Sequence, residues 1–204
     1  MVRVKICGIT SPEDARLAVD AGADALGFIF VEGTPRYIDP ADAAAIIEAL
    51  PPFIMPVGVF WDHPPDHVRA VADEAHLSAL QFHGEEPPEA LAGYHLPLIK
   101  TIKLGSAADL ARFDGYRVSA FLLDSPARWS EGEQRPPIQW ELARQAAGRG
   151  RIILSAGLTP DTVTEAIRIA RPYGVDVNSG VEARPGRKDP EKVRRFIARA
   201  KESL

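Results

Sequence analysis

Residues 2–30, VRVKICGITSPEDARLAVDAGADALGFIF, hold one complete unit of the fold. Val2–Ile6 and Ala25–Phe30 are β-branched or aromatic runs of strand length. Between them, Ser11-Pro12-Glu13-Asp14 sets a capping hydroxyl before a proline and an acidic first turn, the chemistry with which helices begin. A strand, a helix and another strand in so short a span predict a parallel βαβ unit.

The same alternation continues to the end of the chain. Further strands are predicted at Met55–Phe60, Ala79–Phe82, Leu98–Ile102, Ser119–Leu123, Ile152–Leu154 and Gly174–Val177, each followed by a helix. Helical spacing is clearest in Ala41–Leu50, Pro65–Ala75, Asp161–Ala170 and Glu191–Ala200, and Asp39-Pro40 and Thr159-Pro160-Asp161 repeat the starting chemistry. Eight rounds of about 25 residues use up all 204, so one domain, residues 1–204, is expected. Strict βα alternation in eight rounds predicts an α/β fold, a single-domain (β/α)₈ TIM barrel, which has no edge strands to protect.

Composition narrows the function. The 24 Lys and Arg against 28 Asp and Glu leave a net charge of −4, with no bulk field for a nucleic acid backbone or an anionic membrane. Any anionic ligand must be gripped locally. Apolar runs such as Ala25 to Val31 are far short of the ~18 residues of a membrane span, and MVRVKICGIT lacks signal-peptide architecture, so a cytoplasmic location is expected. The lone Cys7 makes no intrachain disulfide and no cysteine-based zinc site, and the five histidines show no ligand spacing, so no metal site is expected.

Parity within the strands selects the reactive groups. In the first strand Val4 and Ile6 share one face, and Arg3, Lys5 and Cys7 the other. The outside of a barrel meets apolar helices, so the polar set points inward and Cys7 stands at the open mouth. Ala120, Leu122 and Asp124 share a face of the sixth strand and bring Asp124 to its carboxyl end, where barrel enzymes carry their chemistry. Lys100 and Asp176 are further interior candidates, and a Lys5–Asp176 ion pair is expected within ~4 Å. Read alone, Cys7 is a buried small apolar side chain; beside Lys5 at a strand end, it also qualifies as a thiolate base or nucleophile.

Ser155-Ala156-Gly157-Leu158 and Asp176-Val177-Asn178-Ser179-Gly180-Val181-Glu182 end the seventh and eighth strands in small-residue turns, where barrels bind phosphate. Either alone reads as a tight turn; as a pair they point to an anion. Arg36, in Glu32-Gly33-Thr34-Pro35-Arg36-Tyr37, lies in a loop toward the same mouth and can clamp a carboxylate. Gln81 and His83 share a parity at the end of the fourth strand and read as polar pocket lining, while His63, His67, His76 and His95 read as surface residues.

With these residues in view, the chain resembles the phosphoribosylanthranilate isomerase family of tryptophan biosynthesis, from end to end. The marks are Val4-Lys5-Ile6-Cys7-Gly8-Ile9-Thr10, Gly22-Ala23-Asp24-Ala25-Leu26-Gly27-Phe28, Pro35-Arg36-Tyr37-Ile38, Val57-Gly58-Val59-Phe60, Gln81-Phe82-His83-Gly84-Glu85, Leu122-Leu123-Asp124 and the two turns above. The resemblance implies an Amadori rearrangement of N-(5-phosphoribosyl)anthranilate to 1-(2-carboxyphenylamino)-1-deoxyribulose 5-phosphate, with no cofactor. It implies Cys7 as general base, Asp124 as general acid, Arg36 on the anthranilate carboxylate, and Gly157, Ser179 and Gly180 on the phosphate, with Asn178 in the same turn. The partner implied is a small phosphorylated aromatic aminosugar, and both monomers and homodimers occur in the family.

The chain departs from the family pattern at two places. Ala156 replaces a glycine, tolerable where φ is negative. The loop after the sixth strand, residues 125–137, keeps one glycine where the family has several, and such glycines let a loop fold over a bound substrate. A phosphate-ligand module without chemistry is the rival reading, and fold alone does not decide between them.

Overall fold

The computed structural model describes residues 1–126 and 138–203. Eight parallel strands follow one another around a ring, and the last closes on the first. They are β1 (Arg3–Cys7), β2 (Ala25–Ile29), β3 (Met55–Phe60), β4 (Ala79–Phe82), β5 (Leu98–Lys103), β6 (Ala120–Asp124), β7 (Ile152–Leu154) and β8 (Gly174–Val177). Every strand end lies within one residue of the position predicted from sequence.

The outer layer is less regular than predicted. Helices α1 (Pro12–Asp20), α2 (Pro40–Glu48), α3 (Pro65–Glu74), α4 (Trp140–Gln145), α5 (Val163–Ala170) and α6 (Pro190–Glu202) occupy six stretches of it. Between β4 and β5, however, the chain makes only the 3₁₀ turn Pro88–Leu91, and between β5 and β6 the 3₁₀ segment Ala107–Phe113. The first connection opens with Pro87-Pro88 and meets Gly93 at φ +79°, so no helical ladder has room to grow. The second begins with a capping box, Ser106 with Asp109, and is cut off at Gly115, φ +86°. The helix-start chemistry works as read at Ser11 and Asp39, each of which accepts a backbone N–H from the first turn with a proline directly after it, and Asp189 before Pro190 does the same for α6. At Thr159-Pro160-Asp161 it does not: α5 starts later, at Val163 after Thr162, with no side-chain cap bond.

Alternation divides the strand residues into two cores. Val4, Ile6, Leu26, Phe28, Leu80, Leu123 and Val175 face outward against the helices. Val57, Ala79, Ile99, Ala120, Leu122 and Ile153, with Ala25 packed beside them, fill the inside of the barrel. Period-two patterning on a closed sheet requires this division.

One interior expectation fails. Lys100 shares its parity with the outward-facing Leu98 and Ile102, so it lies outside the barrel wall. There Lys100 Nζ donates to Glu86 Oε2 and to the Gly84 carbonyl, both at 2.7 Å, and Tyr116 Oη donates to the Glu86 carbonyl. This polar strut occupies a part of the wall where no α-helix follows the strand. After β8 a single 3₁₀ turn, Ser179–Val181, leads into a hairpin, β9 (Glu182–Arg184) with β10 (Arg187–Lys188), which the sequence reading did not anticipate.

Candidate active site

The carboxyl ends of the strands surround a cavity of about 600 Å³. Cys7 enters it from β1, Gln81 from β4 and Asp124 from β6, with His83 just beyond β4. Arg36 reaches it from the loop after β2, Gly157 from the turn after β7, and Asn178, Ser179 and Gly180 from the turn after β8. All nine residues singled out from sequence therefore line one space, above the apolar filling of the barrel. Among the described residues, no three His, Cys, Asp or Glu side chains cluster so as to hold a metal ion.

Around Cys7 the sheet register does the positioning. Lys5 on β1 is paired directly with Asp176 on β8, and Lys5 Nζ donates to Asp176 Oδ1 at 2.7 Å. Ser155 Oγ donates to the other oxygen, Oδ2, at 3.1 Å. Burial pushes the Cys7 thiol up from its ordinary value; the ammonium of Lys5 acts in the opposite sense, and Lys188 assists it. Burial also opposes the charge on Lys5, but Asp176 and Cys7 outweigh that and hold its amine above the ordinary value. Gly27 on the neighbouring strand makes the arrangement possible: a Cβ there would sit 2.7 Å from Cys7 Sγ and 3.0 Å from Lys5 Nζ.

Asp124 is buried at the end of β6. Its Oδ1 accepts the Ser125 N–H at 2.9 Å, and its Oδ2 lies 3.2 Å from His83 Nε2. The far nitrogen of that ring, Nδ1, lies 3.2 Å from Thr101 Oγ1 and 3.5 Å from Gln81 Nε2. Trp61 packs against the imidazole with ring centroids 5.1 Å apart, and the Lys103 ammonium lies 5.1 Å from the Trp61 ring centroid.

Arg36 is held by a fork-to-fork contact: Nε donates to Glu182 Oε1 at 2.9 Å and Nη2 to Oε2 at 2.7 Å. Lys188 Nζ joins the same carboxylate at 3.2 Å and donates to Asn178 Oδ1 at 3.0 Å. Burial raises the Glu182 carboxyl, but the bonds from Arg36 and the charge of Lys188 hold it below the ordinary range. Burial, with the neighbouring charge of Arg36, carries Lys188 below its ordinary value against the pull of Glu182. The turns after β7 and β8 touch closely, since a Cβ on Gly180 would meet the Leu158 carbonyl oxygen at 1.9 Å. Ala156 departs from expectation: its φ is +62°, in the left-handed region that favours glycine.

The family model for N-(5′-phosphoribosyl)anthranilate (PRA) isomerase matches residues 4–199. The N-(5′-phosphoribosyl)anthranilate isomerase of Trichlorobacter lovleyi is 50% identical over 205 residues, the whole of both chains. The chain belongs to the phosphoribosylanthranilate isomerase family. Among solved structures, monomers of the dimeric phosphoribosylanthranilate isomerase of Thermotoga maritima align with TM-score 0.88 and 41% identity, over 98% of this chain and 99% of theirs. A phosphoribosylanthranilate isomerase in complex with reduced 1-(o-carboxyphenylamino)-1-deoxyribulose 5-phosphate aligns with TM-score 0.88 and 40% identity, over 98% and 99%. The activity is that of the phosphoribosylanthranilate isomerases, a step of tryptophan biosynthesis.

Several pocket residues are not marked by any local pattern within the predicted strands. Trp61 and Lys103 lie on the inward parity of β3 and β5, each at or just past the strand's carboxyl end. The parity rule that found Asp124 finds both once each strand is carried one residue further. Glu182 is 146 positions from Arg36, and no local pattern joins them. Of the altered loop after β6, residues 125–137, Ser125 and Pro126 line the cavity, and residues 127–137 lie outside the described residues.

Proposed function

We propose that Asp124 and Cys7 divide the isomerisation between them as general acid and general base. Protonated Asp124 donates to the furanose ring oxygen as the C1′–O bond breaks and the anilinic nitrogen forms a C=N bond. The Cys7 thiolate then removes the proton at C2′, and the resulting enolamine tautomerises to the ketone. Arg36 takes the anthranilate carboxylate, the turns at Gly157 and at Ser179 and Gly180 take the phosphate with Asn178 beside them, and Gln81 and His83 form the polar lining. The observation that carries this reading is the common cavity: a thiol beside an ammonium and a buried carboxyl enter it from strands three apart on the ring.

The test is turnover of freshly made N-(5-phosphoribosyl)anthranilate, followed as fluorescence decay, with Cys7→Ser and Asp124→Asn. Each variant is expected to lose at least about 10²-fold in kcat, with a smaller effect on substrate binding. Parental rates in both would reject the assignment.

The reading places the enzyme in the cytoplasm, in keeping with a single unpaired cysteine. It also includes a homodimer. Phe53 is fully exposed in the loop before β3, at φ +74°, with half-exposed Met55 two residues on, and the T. maritima relative is dimeric. Light scattering on the parent and on Phe53→Ser decides: a parent monomeric at every concentration rejects the dimer.

A further inference from the structure

Building on the acid role assigned above to Asp124, we propose that the transferable proton is held jointly by Asp124 and His83, across the 3.2 Å contact between Oδ2 and Nε2, with Thr101 and Gln81 as positioning residues for the imidazole.

Ring opening needs a proton on the acid at neutral pH. A carboxylic acid ordinarily gives up its proton near pH ~4 and an imidazolium near ~6.5, so a pair that includes an imidazole keeps one where a lone carboxyl would not. The two carboxyl oxygens of Asp124 are already distinguished. Oδ1 accepts the Ser125 N–H, and Oδ2 faces the ring nitrogen.

If Nε2 and Oδ2 share a proton, Nδ1 must carry another, and that proton needs an acceptor. Thr101 Oγ1 lies 3.2 Å away, and a hydroxyl accepts as readily as it donates. The Gln81 amide sits beside the same nitrogen, and its Oε1 is buried with no hydrogen-bond partner among the described residues. Half a turn of the terminal amide, a broad two-fold torsion, brings that oxygen to Nδ1–H. The far side of the ring thus accommodates either protonation state, while Trp61 fixes its plane. Among the described residues, the charged side chains of Lys103 on β5 and Glu85 after β4 are paired with each other at 3.0 Å, and Glu85 also with Arg112.

The proton balance closes within the reaction. Oδ2–H passes its proton to the ring oxygen as the C1′–O bond breaks and the nitrogen lone pair forms C=N. The proton returns to the pair when the enol hydroxyl of the enolamine releases its own on ketonisation. The Cys7 thiol meanwhile returns the C2′ proton to C1′. His83 acts through Asp124 and is a positioning residue.

Two variants and a spectrum test this. In His83→Gln, kcat is expected to fall about 10²-fold with KM within about threefold, and the ratio of kcat/KM at pH 8 to that at pH 6 to fall by about tenfold. Thr101→Val, which keeps the imidazole but removes the acceptor, is expected to move that ratio in the same direction. Nitrogen-15 NMR of the free parent protein is expected to show His83 Nδ1 protonated across the active pH range, deprotonating together with the loss of activity. A bare Nδ1 at neutral pH overturns the proposal, as does a His83→Gln enzyme that keeps the parental pH profile. Should Asp124→Asn run at the parental rate, the acid assignment itself fails. An inactive Asp124→Asn alongside an unmoved profile in His83→Gln removes only the shared proton.

Discussion

Lys5 and Asp176, 171 positions apart in the chain, meet at 2.7 Å inside the barrel in direct strand register, one step below Cys7 on the inward face of β1. The ion pair fixes the ammonium that opposes the effect of burial on the thiol. Lys5→Met is therefore expected to move the pH dependence of Cys7 alkylation by iodoacetamide to higher pH. Leaving Asp176 buried without its partner is expected to cost about 3–5 kcal/mol in denaturant unfolding. An unchanged alkylation profile would show that Lys5 does not govern the thiol.

Gly27→Ala brings a methyl to 2.7 Å from Sγ and 3.0 Å from the Lys5 side chain, both movable groups. The expected result is a folded protein in which the thiol has shifted, with kcat reduced at least about tenfold and KM little changed. A KM effect alone would contradict this.

Gly180→Ala is a harsher change, because the clash at 1.9 Å is with the Leu158 backbone and cannot be relieved by a rotamer. The two turns must separate. KM for the phosphorylated substrate is expected to rise at least about tenfold, with a lowered melting temperature; titration calorimetry with inorganic phosphate provides an independent reading.

The Glu182 carboxyl lies below its ordinary range in the folded protein, so its contribution to stability is full above the ordinary carboxylate pKa and is lost as pH falls through the folded value. Glu182→Gln should cost about 3 kcal/mol at pH 7, and the gap to the parent should close in acid. Urea titrations at pH 7 and in acid measure both. A gap that stays constant with pH would contradict the charge-based account.

Ala156→Gly places the residue suited to φ +62° at that position. Left-handed backbone costs an alanine about 1 kcal/mol relative to glycine, so the urea midpoint should rise slightly, with ΔG higher by up to about 1 kcal/mol.

The barrel was legible because period-two alternation and βα rhythm are local properties, and a closed ring allows only one inside. That logic placed Lys5, Cys7, Asp124 and Asp176 correctly, and the Lys5–Asp176 pair with them. It failed for Lys100, where polarity was read as interior; the residue's parity is outward, and Glu86 meets it in a wall that lacks a helix. Nor could short-range patterns show that Arg36 is gripped by Glu182, or that Ala156 is left-handed, since each is set by segments folding against one another. Lys103 was lost to a strand end drawn one residue short, and Trp61 because it stands one residue past the end of β3.

The seven apolar side chains packed between the strands, from Ala25 and Val57 to Ile153, act as a stopper beneath the reaction chamber. Among the described residues the axis below is filled, so reactant and product come and go on the side of the strands' carboxyl ends. Arrival and departure therefore share that side of the barrel, and product in excess is expected to compete with substrate in steady-state kinetics.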